Sequence, residues 1–241
     1  MRSDAIYEGK AKYLLERPDQ PEELIQSFKN DATAFNGEKF AQFEGKGQLN
    51  CAISSHLFEI LEENGIATHF QGRIDETDMQ IERLEIVPLE VVVRNRVAGS
   101  LKDRVGVDEG TEVDEPFVET FYKKDDLGDP ILADAHVFLL DLIEPEELGE
   151  VKARALDVND VLVEVFAAAG LSLVDFKMEF GFNAAGALVL GDELSPDVAR
   201  IWDLEDDRSL DKDVFRHDRG DLIEAYEEVA DRLGVDVELL D

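Results

Sequence analysis

The sequence has little cysteine, few histidines and no long apolar run, and each shortage excludes a class of protein. Cys51 is the one cysteine, so a disulfide framework and a thiolate metal cluster are both excluded. The four histidines, at positions 56, 69, 136 and 217, lack the spacing of a metal site. No run approaches the ~20 apolar residues of a membrane span, and the N-terminus lacks an apolar signal core. We therefore expect a soluble, cytoplasmic protein.

Basic residues are also scarce. The chain has 24 lysines and arginines against 57 acidic residues, which gives a formal net charge of −33. The acidic residues are spread along the chain, and 44% of all residues are hydrophobic, so we expect an acidic surface over an ordinary core. Such a surface suits a halophilic cytoplasm, where screening over ~3 Å at 1 M salt removes most self-repulsion. Nucleic acid and anionic membranes are unsuited as partners.

Two short apolar runs, residues 171–181 (LSLVDFKMEFG) and 188–196 (LVLGDELSP), each end in charge. Residues 183–186 between them have turn chemistry, so the pair predicts a β-hairpin. Side chains alternate along a strand, which places Asp175, Lys177 and Glu179 on one face.

The charged face of this hairpin has two interpretations. Mg²⁺ is held by one or two carboxylates together with nucleotide phosphates, and Glu179 with Asp192 could supply those carboxylates. The alternative is a solvated hairpin face that carries a surface ion pair.

A glycine turn near the N-terminus leads into a strand within YEGKAKYLL. Gly9 lets the backbone approach a ligand, and Lys10 and Lys12, separated by Ala11, point the same way. Two lysines on such a turn can neutralise nucleotide phosphates. A solvated strand end is the alternative.

A break at Pro88 predicts a hinge between two domains, residues 1–88 and 89–241. Nucleotides often bind at domain junctions, and an extended hinge offers backbone groups to an adenine edge. Further on, Arg94, Arg96 and Ser100 lie in VVVRNRVAGSL, a pattern that suits a phosphate monoester. An exposed strand end with solvated arginines is equally compatible with it.

Periodicity predicts the other elements. Helical spacing of apolar residues covers 49–61, 158–169 and 222–233, and a glycine follows each stretch. Strands are expected at 24–28, 66–72, 79–87 and 89–95. Residues 30–39 are interpreted as a turn-rich loop, 103–119 as an acidic excursion with little chemistry, and 121–134 as an active-site loop or a surface turn.

Seven blocks in this order resemble one family. The blocks are YEGKAKYLL, TAFNGEK, EVVVRNRVAGSL, KKDDLGDP, LVDFKMEFG, GDELSPDVARIWD and LDKDVFR, and they are similar to the signature blocks of phosphoribosylaminoimidazole-succinocarboxamide synthases, the SAICAR synthetases of purine biosynthesis. The resemblance covers nearly the whole chain. It implies an α+β, two-lobed fold with ATP in the cleft. The small β-rich N-terminal lobe would be similar to that of protein kinases, and the larger lobe would be ATP-grasp-like.

The resemblance also implies a reaction and the residues for it. ATP would drive amide formation between L-aspartate and the carboxylate of carboxyaminoimidazole ribotide, through activation that is plausibly an acyl phosphate. On the nucleotide side, Lys10 and Lys12 would meet the phosphates and Glu179 and Asp192 would hold Mg²⁺. Backbone around Val87, Leu89 and Glu90 would hold adenine.

On the ribotide side, the resemblance implies that Arg94, Ser100 and Arg200 bind the phosphate. Asp175 and Lys177 would lie near the ring and the carboxylate, and Asp129 would help to order metal or substrate. The candidates for binding the amino acid are Lys46, Lys123 and Lys212.

Two other functions stay open from the residues alone. A kinase-like phosphotransferase acting on a small alcohol would share the glycine turn, the lysine and the metal carboxylates, but it would not need the arginine blocks. A non-catalytic nucleotide-binding module would be expected to have lost Glu179 or Asp192. A homo-oligomer is possible with any of these functions.

Overall fold

The computed structural model describes residues 5–237 and 239. Its strands are β1 (Ala5–Glu8), β2 (Lys12–Glu16), β3 (Glu23–Phe28), β4 (Asp31–Ala34), β5 (Lys39–Gln42), β6 (Phe70–Arg73), β7 (Asp78–Glu82), β8 (Glu85–Ile86), β9 (Leu89–Arg96), β10 (Glu112–Tyr122), β11 (Ile131–Leu132), β12 (Leu171–Phe182), β13 (Leu188–Gly191) and β14 (Ala199–Asp203). Its helices are α1 (Lys46–Glu63), α2 (Ser100–Val105), α3 (Asp134–Leu139), α4 (Pro145–Ala168), α5 (Asp213–Arg216) and α6 (Leu222–Leu233). The class is α+β, as expected.

The first sheet has the strand order β1-β2-β3-β7-β6, and its strands pair antiparallel. The predicted glycine turn joins β1 to β2, where the Gly9 amide donates to the Lys12 carbonyl at 2.8 Å. This tight turn holds Lys10 and Lys12 at one end of the sheet.

The second sheet is built around β12. Its main path is β11-β10-β9-β12-β13, and β8 and β14 also pair with β12. The predicted hairpin is confirmed, since Glu179 pairs with Gly191 and Phe182 with Leu188. The pairing of β12 with β9 sets Asp175 opposite Arg94, which brings two of the sequence blocks together.

All three predicted helices are confirmed, although α1 and α4 begin earlier than the apolar spacing indicated. Pro145 starts α4 at its first turn, a position where the missing amide of proline costs nothing. The Asp221 carboxylate caps α6 by accepting from the Ile223 amide at 2.8 Å. Gly234, in the left-handed conformation, ends that helix.

Two stretches were interpreted wrongly. Residues 103–119 contain the second half of α2 and most of β10, and residues 30–39 contain β4 and a 3₁₀ turn. Acidic side chains on the exposed positions of β10 interrupt the apolar alternation by which a strand is recognised from sequence.

The main hydrophobic cluster draws on both sides of the predicted 88/89 boundary. Leu24 and Phe28 belong to it, and so do Phe176 and Leu190. The boundary itself stays a prediction, and the chain ends of the two predicted domains (1–4, 238 and 240–241) lie outside the described residues. Among the helices that the structure describes, none is long and apolar enough to cross a membrane.

Candidate active site

One cavity of about 1120 Å³ is lined by residues of both large sheets and by the segments that follow β13 and β14. Most of the residues that the sequence indicated meet in its wall. They are Gly9, Lys10, Ala11, Lys12, Glu90, Arg94, Ser100, Lys123, Asp129, Asp175, Lys177, Glu179, Asp192, Arg200 and Lys212. Four residues that the sequence indicated do not line it, namely Lys46, Val87, Leu89 and Arg96.

Ammonium and carboxylate groups alternate where β12 and β13 face the glycine turn. Lys177 Nζ donates to Glu179 Oε1 at 2.8 Å and to Asp192 Oδ2 at 2.7 Å. Lys12 also contacts Asp192, and its Nζ lies 3.0 Å from Glu193 Oε1. Lys123 contacts the second oxygen of Glu179. The hairpin face is thus a nearly buried charge network rather than a solvated face.

This network keeps Asp192 and Lys177 ionised. Burial opposes the charge of Asp192, but the ammonium groups of Lys12 and Lys177 outweigh it, so the pKa of this carboxyl lies well below its ordinary value. Burial likewise disfavours the Lys177 cation, yet Asp192 and Glu179 raise the pKa of that lysine well above its ordinary value. At neutral pH the cavity therefore presents fixed charges of both signs.

The donor set fits a hard divalent cation that also binds phosphate. Glu179 and Asp192 converge on the Lys177 ammonium, so their oxygens lie close together at the cavity wall. Within residues 5–237 and 239 no group of three or more protein ligands gathers for a metal. Two carboxylates completed by phosphate oxygens and water are, however, the ordinary arrangement for Mg²⁺.

The glycine turn also contacts the loop that follows β10. Lys10 Nζ donates to Asp125 Oδ1 at 2.8 Å, and both side chains are exposed. In that loop Asp129 adopts a left-handed φ of 47° and accepts from the Lys124 amide at 2.9 Å. The loop over residues 121–134 therefore forms part of the cavity wall.

Val87 and Leu89 have side chains turned away from the cavity, into a small apolar cluster with Val137 and Leu148. Their amides already have partners, because Val87 donates to the Phe180 carbonyl and Leu89 to the Val87 carbonyl. The alternation of an extended chain explains this, since the neighbours Ile86, Pro88 and Glu90 face the cavity instead. The apolar wall there consists of Leu14, Leu24, Ile81, Leu84, Ile86 and Pro88.

Two arginines from distant blocks converge on Asp175. Arg94 Nη1 donates to Asp175 Oδ2 at 2.5 Å, and Arg200 Nη1 lies 3.0 Å from the same oxygen. Arg200 packs against the turn before α2, where Gly99 at a φ of 53° leaves room for the guanidinium. Ser100 begins α2 beside it and accepts a hydrogen bond from Arg104.

Acidic residues that sequence analysis did not single out hold these arginines. Glu119 accepts from Arg94 Nε at 3.0 Å, and Asp213 accepts from Arg200 Nε at 2.8 Å. The pKa of Arg200 is raised above its ordinary value, because Asp175 and Asp213 outweigh the effect of burial. The high density of charged residues in LDKDVFR could have indicated Asp213 from the sequence. No feature of the sequence indicated Glu119.

A second buried charge cluster lies behind the cavity wall. Lys46 Nζ donates to Asp197 Oδ2 at 2.6 Å, and the Tyr226 hydroxyl donates to Asp197 Oδ1 at 2.7 Å. Lys212 Nζ lies 3.6 Å from Asp197 Oδ2. Lys212 and Asp197 line the cavity, whereas Lys46 is fully buried, so Lys46 is unavailable as a direct ligand of the amino acid.

Comparison with known proteins identifies close relatives. The family model described as SAICAR synthetase matches residues 5–233. A phosphoribosylaminoimidazole-succinocarboxamide synthase of Thermococcus kodakarensis is 56% identical over 228 residues, covering 95% of this chain and 96% of that one. The corresponding synthase of Bacillus subtilis is 47% identical, with 97% of each chain covered.

Two solved structures are similar throughout. A SAICAR synthetase in complex with ADP superimposes with a TM-score of 0.93 at 50% identity, covering 96% of this chain and 98% of that one. A SAICAR synthetase from Pyrococcus horikoshii OT3 gives a TM-score of 0.90 at 48% identity, covering 95% and 99%.

Proposed function

The chain belongs to the SAICAR synthetase family, ATP-dependent ligases of purine biosynthesis, and we propose that its cavity joins L-aspartate to carboxyaminoimidazole ribotide. The observation that carries this assignment is that the lysine–carboxylate network and the arginine pair line one cavity. The first arrangement suits the transfer of a phosphoryl group, and the second suits a separate phosphorylated substrate. ADP and phosphate are the other products.

The nucleotide is assigned to the end of the cavity near the glycine turn. Lys10 and Lys12 neutralise its phosphates, and the apolar residues of β2, β3, β7 and β8 accommodate the adenine ring. The extended segment around Val87, Leu89 and Glu90 borders that ring, with Glu90 facing the cavity. The similar structure in complex with ADP supports the binding of a nucleotide by this fold.

The finer architecture is proposed on the same grounds. A β-rich lobe up to residue 88, similar to the small lobe of protein kinases, would cover ATP. The ATP-grasp-like remainder of the chain would carry the metal ligands and the ribotide site, and the cleft between the lobes would be the cavity described above.

Glu179 and Asp192 are assigned to Mg²⁺. When bound by these two carboxylates, the metal would neutralise the charge that develops on the phosphoryl group during transfer. The ammonium groups that now contact these carboxylates are then free to donate to phosphate oxygens. Lys177 and Lys12 are available for this role because both line the cavity.

The ribotide phosphate is assigned to Arg94, Arg200 and Ser100. A guanidinium binds phosphate through charge-assisted and often bidentate hydrogen bonds. Asp175, which lies between the two guanidinium groups, keeps their forks oriented and faces the ring of the substrate. Remote binding of this kind positions the carboxylate of the ribotide against ATP.

The chemistry proceeds in two steps. A carboxylate oxygen of the ribotide attacks the γ-phosphorus of ATP, the bond between that phosphorus and its bridging oxygen breaks, and ADP leaves. The aspartate amine then attacks the acyl carbon, and the carbon–oxygen bond breaks to release phosphate. Lys177 donates to the transferring oxygens and Asp129 helps to order the phosphates. Lys123 and Lys212 are the cavity cations available to the carboxylates of aspartate.

An omission experiment tests this function. ADP release is measured with ATP, Mg²⁺, L-aspartate and carboxyaminoimidazole ribotide together, and then with each omitted in turn, in high KCl. We expect release only from the complete mixture or, at a low rate, without aspartate. A kinase-like phosphotransferase would instead release ADP with a small alcohol and without the ribotide, and that outcome would contradict the proposal.

A further inference from the structure

The cluster of Lys46, Asp197, Lys212 and Tyr226 has an excess of positive charge. Asp197 is its one carboxylate, and it already accepts short hydrogen bonds from Lys46 and Tyr226. Lys212 is a third and more distant neighbour at 3.6 Å. A buried cation needs a partner, and the bonds to Lys46 and Tyr226 leave the Lys212 ammonium only partly satisfied.

The surroundings of Lys212 add to this excess. Burial and the neighbouring cations of Lys46 and Arg216 lower the pKa of Lys212 from its ordinary value, against the opposing attraction of Asp197. Its side chain is only 10% exposed, and it lines the cavity. An anion that enters the cavity here would therefore contact an ammonium group whose hydrogen-bond donors are not all in use.

Lys212 lies near both the residues assigned to the nucleotide and the residues assigned to the ribotide. Lys212 interacts electrostatically with Glu193, which holds Lys12 of the glycine turn. It also interacts with Arg216, whose partner Asp213 holds Arg200 of the arginine pair. A group at Lys212 would thus lie between the phosphates of the nucleotide and the phosphorylated substrate, which is where an attacking amine has to arrive.

We propose that Asp197, fixed by Lys46 and Tyr226, is a positioning residue that holds the Lys212 ammonium at the cavity wall to receive a carboxylate of the amino-acid substrate. Lys46 and Tyr226 lie behind the wall and act only through Asp197. This inference rests on the proposed function, because it concerns the third substrate of the same reaction.

The test uses Tyr226→Phe, which keeps the buried ring and removes only the hydroxyl that Asp197 accepts. We expect the KM for L-aspartate to rise about three- to tenfold, the size of effect that loss of one typical hydrogen bond produces. The KM values for ATP and ribotide should stay within twofold, and kcat should change little. The inhibition constant of succinate, a dicarboxylate without the amine, should rise in parallel.

Two further variants keep the result interpretable. Arg232→Lys is the matched control, since Arg232 ties the same helix to Asp203 and to the Gly170 carbonyl and is not a member of the Asp197 cluster. It should lower the melting temperature without altering any KM. Lys212→Gln should raise the KM for aspartate more than Tyr226→Phe does, because it removes the ammonium itself.

The possible outcomes separate cleanly. If Tyr226→Phe raises the KM for the ribotide and not for aspartate, or lowers only the melting temperature as Arg232→Lys does, the inference is wrong. If the wild-type enzyme forms product without aspartate, the proposed function itself is wrong, whatever the variants show. A succinate inhibition constant unchanged in Lys212→Gln would also overturn the inference.

Discussion

Asp175 holds the guanidinium groups of Arg94 and Arg200 close enough together for one phosphate to contact both. Both guanidinium groups contact the same Oδ2 of Asp175. Glu119 also accepts a hydrogen bond from Arg94, and Asp213 accepts one from Arg200. The pair is therefore oriented before any ligand arrives, which reduces the entropy lost on binding.

Replacing either arginine by lysine should weaken ribotide binding selectively. Lysine keeps the charge but lacks the planar fork that binds phosphate through two hydrogen bonds. We expect Arg94→Lys and Arg200→Lys each to raise the KM for the ribotide by at least tenfold, a loss of about 1.4 kcal/mol, with smaller effects on ATP and aspartate. Steady-state titrations with one substrate varied at a time check this. A collapse of ATP affinity with ribotide affinity intact would reassign these arginines to the nucleotide.

Asp211 should make stability depend on pH. It is fully buried, and burial together with the nearby Asp213 raises its pKa to about 7 from 3.8, although its oxygens accept from the amides of Ile201 and Asp213. The folded state thus retains a proton that the unfolded chain releases. Its stabilising contribution is complete below pH 3.8 and is lost as the pH rises to about 7, at roughly 1.4 kcal/mol per pH unit.

The measurement compares the free energy of unfolding of the wild type with that of Asp211→Asn between pH 5 and pH 8. We expect the wild type to lose stability relative to the variant as the pH rises, and the difference to level off above about pH 8. Parallel curves would show that Asp211 does not titrate in this range.

At the level of single elements, sequence analysis succeeded where the pattern is local. The alternation along β12 gave the shared face of Asp175, Lys177 and Glu179 because a strand fixes it within a few residues. Around Pro88 the sequence indicated only that backbone groups would meet adenine, and it did not indicate that the side chains of Val87 and Leu89 pack into an apolar cluster.

Contacts between distant elements could not be predicted in this way. Lys46 at the start of α1 bonds Asp197 from 151 residues away, and Tyr226 of α6 bonds it from 29 residues away. Nothing in the local pattern of either helix indicates which carboxylate its polar residue will meet. The cluster follows from how α1 and α6 pack around the segment between β13 and β14.

The turn before α2 offers a test of how an element shapes the arginine site. A Cβ on Gly99 would lie 2.6 Å from Arg200 Cζ, and the φ of 53° strains any other residue. We expect Gly99→Ala to displace the Arg200 guanidinium and raise the KM for the ribotide several-fold. Gly106→Ala, at the other end of the same helix, has nothing within 4 Å and a left-handed φ of 67°, so it is the control for replacing a glycine of this helix without a clash. Equal kinetics for the two variants would contradict this account.

The metal assignment is tested where β13 ends. Asp192 has a φ of 66°, a conformation that asparagine tolerates, so Asp192→Asn should fold. Loss of one of two carboxylates should raise the Mg²⁺ concentration that gives half-maximal turnover by at least tenfold, equal to about 1.4 kcal/mol. Wild-type turnover by the folded variant at limiting Mg²⁺ would exclude Asp192 as a ligand.

Across the whole molecule, the acidic residues fall into two groups. Seven acidic side chains of the described chain are buried, all of them between residues 175 and 213, and four of them line the cavity. They are Asp175, Glu179, Glu193, Asp197, Asp203, Asp211 and Asp213. The others are partly or fully exposed wherever the structure describes them, as the even spread of acidic residues in the sequence led us to expect.

This distribution leads to a prediction about salt. Exposed like charges repel over the screening length, which is ~30 Å in 0.01 M salt and ~3 Å in 1 M, so a net charge of −33 should destabilise the fold most in dilute buffer. Salt also weakens surface ion pairs such as Arg208 with Glu228, but exposed pairs contribute little stability. We therefore expect the melting temperature to rise as KCl increases from dilute to molar.

Choline chloride at equal ionic strength is the control, because screening alone gives the same initial rise with either cation. A flat or falling curve would show that the acidic surface is not under repulsive strain, and the halophilic interpretation of the composition would have to be abandoned.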